Sequence, residues 1–305
     1  MQPDYDFNPT PGVPETLAPG LRRVLAPNPS PMTWRGTNTY LLGAGEGVAV
    51  IDPGPDDDAH KDAILNALSP WQHISHILVT HAHMDHSPLA RGLSDETDAP
   101  VLAYGDARAG RSAMMARLAA TGLSGGEEGI DAGFIPDIEL PDGARVNGDG
   151  WQLAALWTPG HFGNHMCFAW GDTVFTGDLV MGWASSLVSP PDGDLTDFMA
   201  SVRKLRLQDA RVLHPGHGAP VTRPSERLDW LIAHREARAN AILDALRSGP
   251  ADAATLAGRI YTDTPAYLMP AAARNVFAHL IDMTGKSQVR PTEELSSQAQ
   301  FEQVR

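Results

Sequence analysis

The sequence predicts an α/β fold followed by a smaller helical unit, and three observations carry that reading. Short apolar runs of β type alternate with Gly- and Pro-rich turns up to about residue 222. Several of these runs stop at a glycine with a histidine or aspartate directly after it. From about residue 224 the apolar spacing becomes helical. A chain of 305 residues is long enough for a large domain plus a small one.

The totals narrow the class. With 42% hydrophobic and 20% charged residues, the composition is that of an ordinary soluble globular protein. No apolar run approaches the roughly 18 to 20 residues of a membrane span. The opening segment MQPDYDFNPTPGVPETLAPG lacks the basic start and apolar core of a secretory signal, and a Pro-rich, extended leader is expected over residues 1–20. One cysteine rules out an intramolecular disulfide and suits a reducing compartment, so a cytoplasmic location is expected. The net charge of −14 argues against binding long nucleic acids, whose affinity rests on Lys and Arg neutralising phosphates. A small anionic substrate drawn to a local cationic site stays open.

In chain order, the runs at 21–27, 38–45 and 47–54 read as an antiparallel meander. Residues 56–68 read as a helix with Ala63, Ile64 and Leu68 inward, and Asp56, Asp57 and Asp58 as acids that complement its N-terminal dipole. HILVT (76–80) is a buried strand, and Ser87 is expected to cap a helix with Pro88 at its first position. Residues 106–122 look helical and 123–133 look like a mobile loop. Strands resume at 151–157, 165–170, 173–177 and 211–215. A catalytic domain is therefore expected over 21–222, and a helical unit over 223–290. In that unit one helix stops at Gly249-Pro250 and two more lie near 251–261 and 266–284, with a polar, loose tail over 291–305.

VTHAHMDHSPLA (79–90) crowds three histidines and an aspartate, groups that are costly to gather unless a cation holds them. His81 and His83 are two apart, so in extended chain their rings lie on one side. Asp85 and His86 follow as the chain turns. Other strand ends supply more donors: TPGH ends in His161, TGD in Asp178, and HPGHG contains His217. A catalytic zinc takes three protein ligands and keeps a position for water. Seven donors therefore fit two metals with one carboxylate bridging, and an imidazole-rich set without thiolate suits zinc best, with iron or manganese as other candidates.

On these motifs the chain resembles the metallo-β-lactamase superfamily, whose His-x-His-x-Asp-His pattern matches 81–86 in full. GTNTYLLG, IDPG, TPGH, TGD and HPGHG also resemble the lactamase-like protein 2 branch, which carries a C-terminal winged-helix domain; the resemblance spans roughly residues 20 to 290. It implies an αββα sandwich, with His81, His83 and His161 on one metal, Asp85, His86 and His217 on the other, and Asp178 bridging. Two departures stand out. Ser87-Pro88 replaces the frequent Gly-Gly, which bears on how the helix starts. Histidine at 83, where oxygen-reducing di-iron relatives have glutamate, weighs against redox chemistry.

The expected reaction is hydrolysis of a carbonyl (ester, thioester, lactone or lactam) or phosphodiester centre by a water activated between two cations, with Asp85 also steering the proton. Fold analogy does not choose the substrate. Alternatives are a single-stranded RNA endonuclease, a mononuclear iron persulfide dioxygenase, and a nucleic-acid-binding regulator using the C-terminal unit. That unit offers few cations: Arg274 is the one permanent cation of helix 266–284, opposed by Asp282. Its Val276, Phe277, Leu280 and Ile281 form a stripe expected to pack on the main domain or support a homodimer. A small-molecule substrate is the expected partner, with RNA the other candidate and no membrane.

Of the remaining residues, Asp52 could orient a ligand histidine or merely cap a turn. His165 and His214 are expected to hydrogen-bond or pack, and Cys167 to be a small buried apolar residue. Trp183, Met114 and Met115 are candidate pocket walls, with core packing the competing role. His60, His73, His76, His234 and His279 carry no functional expectation.

Overall fold

Alternation along the strands decides the layering. In the computed structural model, which describes residues 5–124 and 129–304, Glu15–Ala18 (β1), Leu21–Leu25 (β2), Asn38–Leu42 (β3) and Gly47–Ile51 (β4) form an antiparallel meander. Helix Asp58–Asn66 (α1) crosses to His73–Leu78 (β5), and helix Leu89–Thr97 (α2) to Val101–Ala103 (β6). Helix Ala113–Ala120 (α3) precedes Ile138–Glu139 (β7), and β4 to β7 pair in parallel. The second sheet holds Arg145–Asn147 (β8), Gln152–Trp157 (β9), Met166–Trp170 (β10) and Thr173–Gly177 (β11). Helix Leu195–Arg206 (α4) then returns the chain to Val212–Pro215 (β12), parallel to β11.

Both faces of each sheet are apolar, as a buried sheet requires. Val48 and Val50 pack with Ile64 of α1 and Leu89 and Leu93 of α2. Their neighbours Ala49 and Ile51 face the other sheet, where they meet Leu153, Met166 and Phe168. On the far side Cys167, Val174 and Leu213 pack under Phe198 and Val202 of α4 and Leu228 of the next helix. The result is the αββα sandwich.

The C-terminal unit is Pro224–Leu246 (α5), Ala253–Ile260 (α6), a 3-10 turn at Ala266–Leu268, Met269–Gly285 (α7) and the hairpin Val289–Pro291 (β13) with Phe301–Gln303 (β14). Val276, Phe277, Leu280 and Ile281 are buried within this chain, in a cluster that includes Met115 and Leu118 of α3. Met115 is therefore core and not pocket wall. The stripe is already covered, so it gives no reason for a dimer. No helix among the described residues is long and apolar enough to cross a membrane.

Three local expectations are corrected. The leader joins the sheet: it contains β1, which pairs with β2 across a short turn, and Phe7 is buried beneath the Arg23 guanidinium; a strand of four residues is too short to show a period in the sequence. The tail over 291–305 is not loose: Phe301 and Ala299 are fully buried and β14 pairs with β13. One buried phenylalanine contributes about 1.5–3 kcal/mol, which anchors an otherwise polar stretch. Ser87 does not cap α2, whose first turn has no side-chain cap; its hydroxyl donates instead to Asp131 at 2.8 Å. A carboxylate is the stronger acceptor. Within the loop expected to be mobile, residues 125–128 lie outside the described residues, while Ile130 bridges to His83 and Phe134 joins the core.

Candidate metal centre

Parallel pairing brings the carboxyl ends of β4 and β5, and of β11 and β12, to one edge of the sandwich. Backbone bonds lock the sheets together there: Asn38 N–H to Gly216 O at 2.7 Å, and Met166 N–H to Thr80 O at 2.7 Å. Onto this edge project His81, His83, Asp85 and His86 after β5, His161 between β9 and β10, Asp178 after β11 and His217 after β12. All seven converge.

The inward atoms fall into two groups sharing an aspartate. His83 Nδ1 lies 2.9 Å from His81 Nε2 and 3.2 Å from His161 Nε2. His217 Nε2 lies 3.3 Å from His86 Nε2 and 3.1 Å from Asp85 Oδ2. Asp178 faces both groups, with Oδ2 3.7 Å from His161 Nε2 and 3.3 Å from His217 Nε2, and Oδ1 3.5 Å from His86 Nε2. Three triads have their donor atoms within 4.8 Å of one another: His81, His83, His161; His81, His86, Asp178; and Asp85, His86, His217.

The outward ring atoms determine what the inward ones carry. A carbonyl only accepts, so His161 Nδ1, 2.8 Å from Leu187 O, must hold the proton, as must His217 Nδ1, 3.2 Å from Gly36 O. Asp52 Oδ2 accepts from His86 Nδ1 at 2.9 Å. It also accepts from the Thr80 hydroxyl at 2.8 Å, which leaves the Thr80 oxygen to accept from His81 Nδ1 at 2.9 Å. In each neutral ring Nε2 then presents a lone pair to the centre. Lone pairs this close repel unless a cation or protons lie between them, so the set fits metal ions.

Two further features agree. Asp178 Oδ1 is buried without a hydrogen-bond donor. A Cβ on Gly216 would lie 2.5 Å from that oxygen and 2.6 Å from His86 Cε1, so a glycine keeps the cradle open.

Charge is unevenly spread. Burial, together with the neighbouring imidazoles, pushes His81 and His83 well below the usual imidazole range. Burial acts the same way on His86 and His217, but nearby carboxylates outweigh it. Asp85 and Asp178 raise His86 well above its usual value, and Asp178 and Asp85 raise His217 to about 10. Burial would raise the two carboxyls; instead the His86 and His217 imidazoles hold both well below the usual range.

The other sequence candidates take supporting places. Asp52 does orient a ring, and also accepts from Thr80 N–H at 2.7 Å. His165 accepts from Asp178 N–H at 3.2 Å and is pushed down to about 3, chiefly by burial. His214 packs on Tyr40 and Phe175. Burial pushes the Cys167 thiol up to about 12. Trp183, with Trp34 and Trp230, walls a cavity of about 400 Å³ that reaches Gly218, next to His217. Sequence reasoning missed Thr80, Asn38 and the carbonyls of Gly36 and Leu187. Thr80 beside His81 was a readable signal; Asn38, whose amide donates to Pro215 O at 3.0 Å and Gly218 O at 2.9 Å, acts across more than half the chain and was not.

With this geometry in hand, comparison with known proteins decides the family. Residues 32–217, more than half of the chain, match the profile of the metallo-beta-lactamase superfamily, and residues 253–296 match the beta-lactamase associated winged helix domain. The chain belongs to the metallo-beta-lactamase superfamily. As a member it is a metal-dependent hydrolase with a C-terminal winged-helix domain. It is 30% identical over 267 residues to the Beta-lactamase-like protein 2 homolog of Caenorhabditis elegans, covering 86% of this chain and 83% of that protein. It is also 30% identical over 247 residues to an atrochrysone carboxyl ACP thioesterase of Aspergillus fumigatus, covering 78% and 69%. Among solved structures, a metallo-beta-lactamase family protein from Thermus thermophilus superposes with a TM-score of 0.76 at 25% identity, covering 95% of this chain and all of that one.

Proposed function

We propose that the protein is a binuclear zinc hydrolase acting on the carbonyl carbon of an ester or thioester that carries a flat apolar group. The observation that carries the metal reading is the paired cradle of lone-pair nitrogens sharing Asp178. His81, His83 and His161 would hold one ion, Asp85, His86 and His217 the other. Bound there, such ions supply a hydroxide-strength nucleophile near neutral pH and polarise the electrophile's oxygen.

The chain's own residues do the rest. Asp52 and Thr80 accept from Nδ1 of His86 and His81, which turns Nε2 of each ring toward the centre as the ligand atom. Asp85 is the less buried of the two carboxylates, with 20% of its side chain exposed, and is the group placed to accept a hydrogen bond from the attacking water and steer its proton. Its Oδ2 also lies 3.5 Å from the Thr37 hydroxyl, which holds the carboxylate's orientation.

The cavity that reaches Gly218, the residue after His217, supports this substrate class. Three tryptophans wall it, and the Arg227 guanidinium stacks on one of them, Trp230. Aromatic walls suit a planar acyl group. The similarity to a thioesterase supports the same class. RNA is disfavoured by the charge of −14, and DNA reading by α7, whose residues 276–283 are all buried.

The test is a panel of aromatic acyl thioesters, esters, lactams and single-stranded RNA. Aromatic thioesters are expected to react fastest, with a rate that rises through an apparent pKa near neutrality. Trp183→Ala should raise KM for them more than it lowers kcat. Preferred cleavage of RNA, or an isolable acyl adduct on serine or cysteine, would contradict the proposal.

A further inference from the structure

We infer that the C-terminal domain positions His161, with Arg235 of α5 and Asn275 of α7 acting as positioning residues for the metal centre. The inference rests on the metal reading above. It starts from Leu187, whose carbonyl accepts the His161 Nδ1–H at 2.8 Å and so aims Nε2 inward. Leu187 lies in residues 179–194, a stretch between β11 and α4 with no helix or strand. A segment without ladder bonds takes its hold from turn bonds and from side chains.

Around Leu187 those side chains come from the C-terminal helices. Arg235, only 2% exposed, donates through Nη2 to Ser186 O and through Nη1 to Asn275 Oδ1 at 2.9 Å. The same Asn275 oxygen accepts the Val188 N–H at 3.1 Å. The residues on either side of Leu187 are thus fixed by one coupled pair. Arg227 donates to Ala184 O, and Arg274 donates to the Ser189 hydroxyl at 3.2 Å, extending the hold in both directions. Within the segment the Ser186 hydroxyl donates to Leu179 O at 3.0 Å; the catalytic domain holds its two ends, through Thr176 on Val180 O at 3.0 Å, Arg111 on Asp192 at 2.7 Å and Ser112 on Asp194 at 2.8 Å.

A second route runs from Arg235 to the same histidine. Its guanidinium lies 5.1 Å from the centre of the Phe198 ring. The Phe198 backbone abuts Gly160, where an added Cβ would come within 2.2 Å of Phe198 Cα. Gly160 immediately precedes His161. Both the peptide before His161 and the acceptor of its ring proton are therefore braced by one arginine of the other domain. The other half of the cradle has no such dependence, since His86 and His217 take their outward bonds from Asp52 and Gly36 O.

The experiment is a zinc titration of the metal-free full-length protein against a chromophoric competitor, repeated with cobalt to read each site by its absorption. His161→Ala identifies the three-histidine site. Asn275→Leu should weaken that site about 10- to 100-fold, the usual size for losing an outer support, and leave the Asp85, His86, His217 site within about twofold. Asn275→Asp keeps the accepting oxygen and should restore affinity. Should Asn275→Leu not fold, Arg235→Gln tests the same link and should give the same one-sided loss. Both sites unchanged, or both weakened equally, would overturn the inference. Wild-type protein taking up no metal would instead sink the metal reading, and this inference with it.

Discussion

The two halves of the cradle share Asp178 but are built to different electrostatic plans. The His81, His83, His161 half is all imidazole, and burial keeps His81 and His83 neutral. In the Asp85, His86, His217 half carboxylates hold protons on both imidazoles against the pull of burial. Without metal, the second half therefore compensates its own carboxylates, whereas His81 and His83 of the first present bare lone pairs. A dication entering the second half must expel protons, and one entering the first need not. Similar donor sets can thus differ in whether metal uptake is coupled to proton release.

The largest expected effect breaks the comparison altogether. Asp178→Ala removes the carboxylate common to both halves and should lower metal occupancy of each, with activity falling about three orders of magnitude, close to 4 kcal/mol of barrier. Elemental analysis and single-turnover rates check this. Loss from one half alone would mean that Asp178 does not bridge.

Asp52→Asn sharpens the comparison. It keeps size but offers one oxygen where Asp52 serves His86 Nδ1 and Thr80. Metal affinity of the His86 half should drop about 10- to 100-fold, measured by competitive titration, with a smaller change at His81 through Thr80.

A pH effect of intermediate size follows from His217. Its folded-state value, about 10, lies above the ordinary imidazole value of about 6.5. The stability this lends the metal-free protein is full below pH 6.5 and is lost as pH rises toward 10. Asp178 has the opposite sign, its contribution being present above the usual carboxylate value and lost as pH falls. Thermal melts of metal-free protein should therefore weaken between about pH 7 and 10, while melts of zinc-loaded protein should not follow that trend. Cys167→Ser should have the smallest effect, since the thiol is buried away from the chemistry; activity should stay within about twofold.

How much of this was legible depended on the range of the signal. The 81–86 motif is local, so its donors could be read directly. His161, Asp178 and His217 carry the same signature, a strand ending in glycine and then a donor. Gly177 shows why: φ is +44°, and a Cβ there would lie 2.6 Å from the Thr80 hydroxyl. What stayed hidden was set by distant partners. Ser87 looks like a helix cap until Asp131 is placed beside it, and Phe301 looks like one apolar residue in a polar tail until β13 covers it. The support of His161 by Arg235 and Asn275 joins two domains, and no spacing rule connects them.

The central claim, two unlike halves each holding an ion, meets its most direct test in metal content as a function of pH. Metal-free full-length protein would be loaded with zinc, dialysed at about pH 8 and about pH 6, and assayed by elemental analysis. The account predicts about two ions per chain at the higher pH and about one at the lower, the ion retained being the one lost in His161→Ala. A single ion at both pH values, or two lost together on acidification, would contradict it.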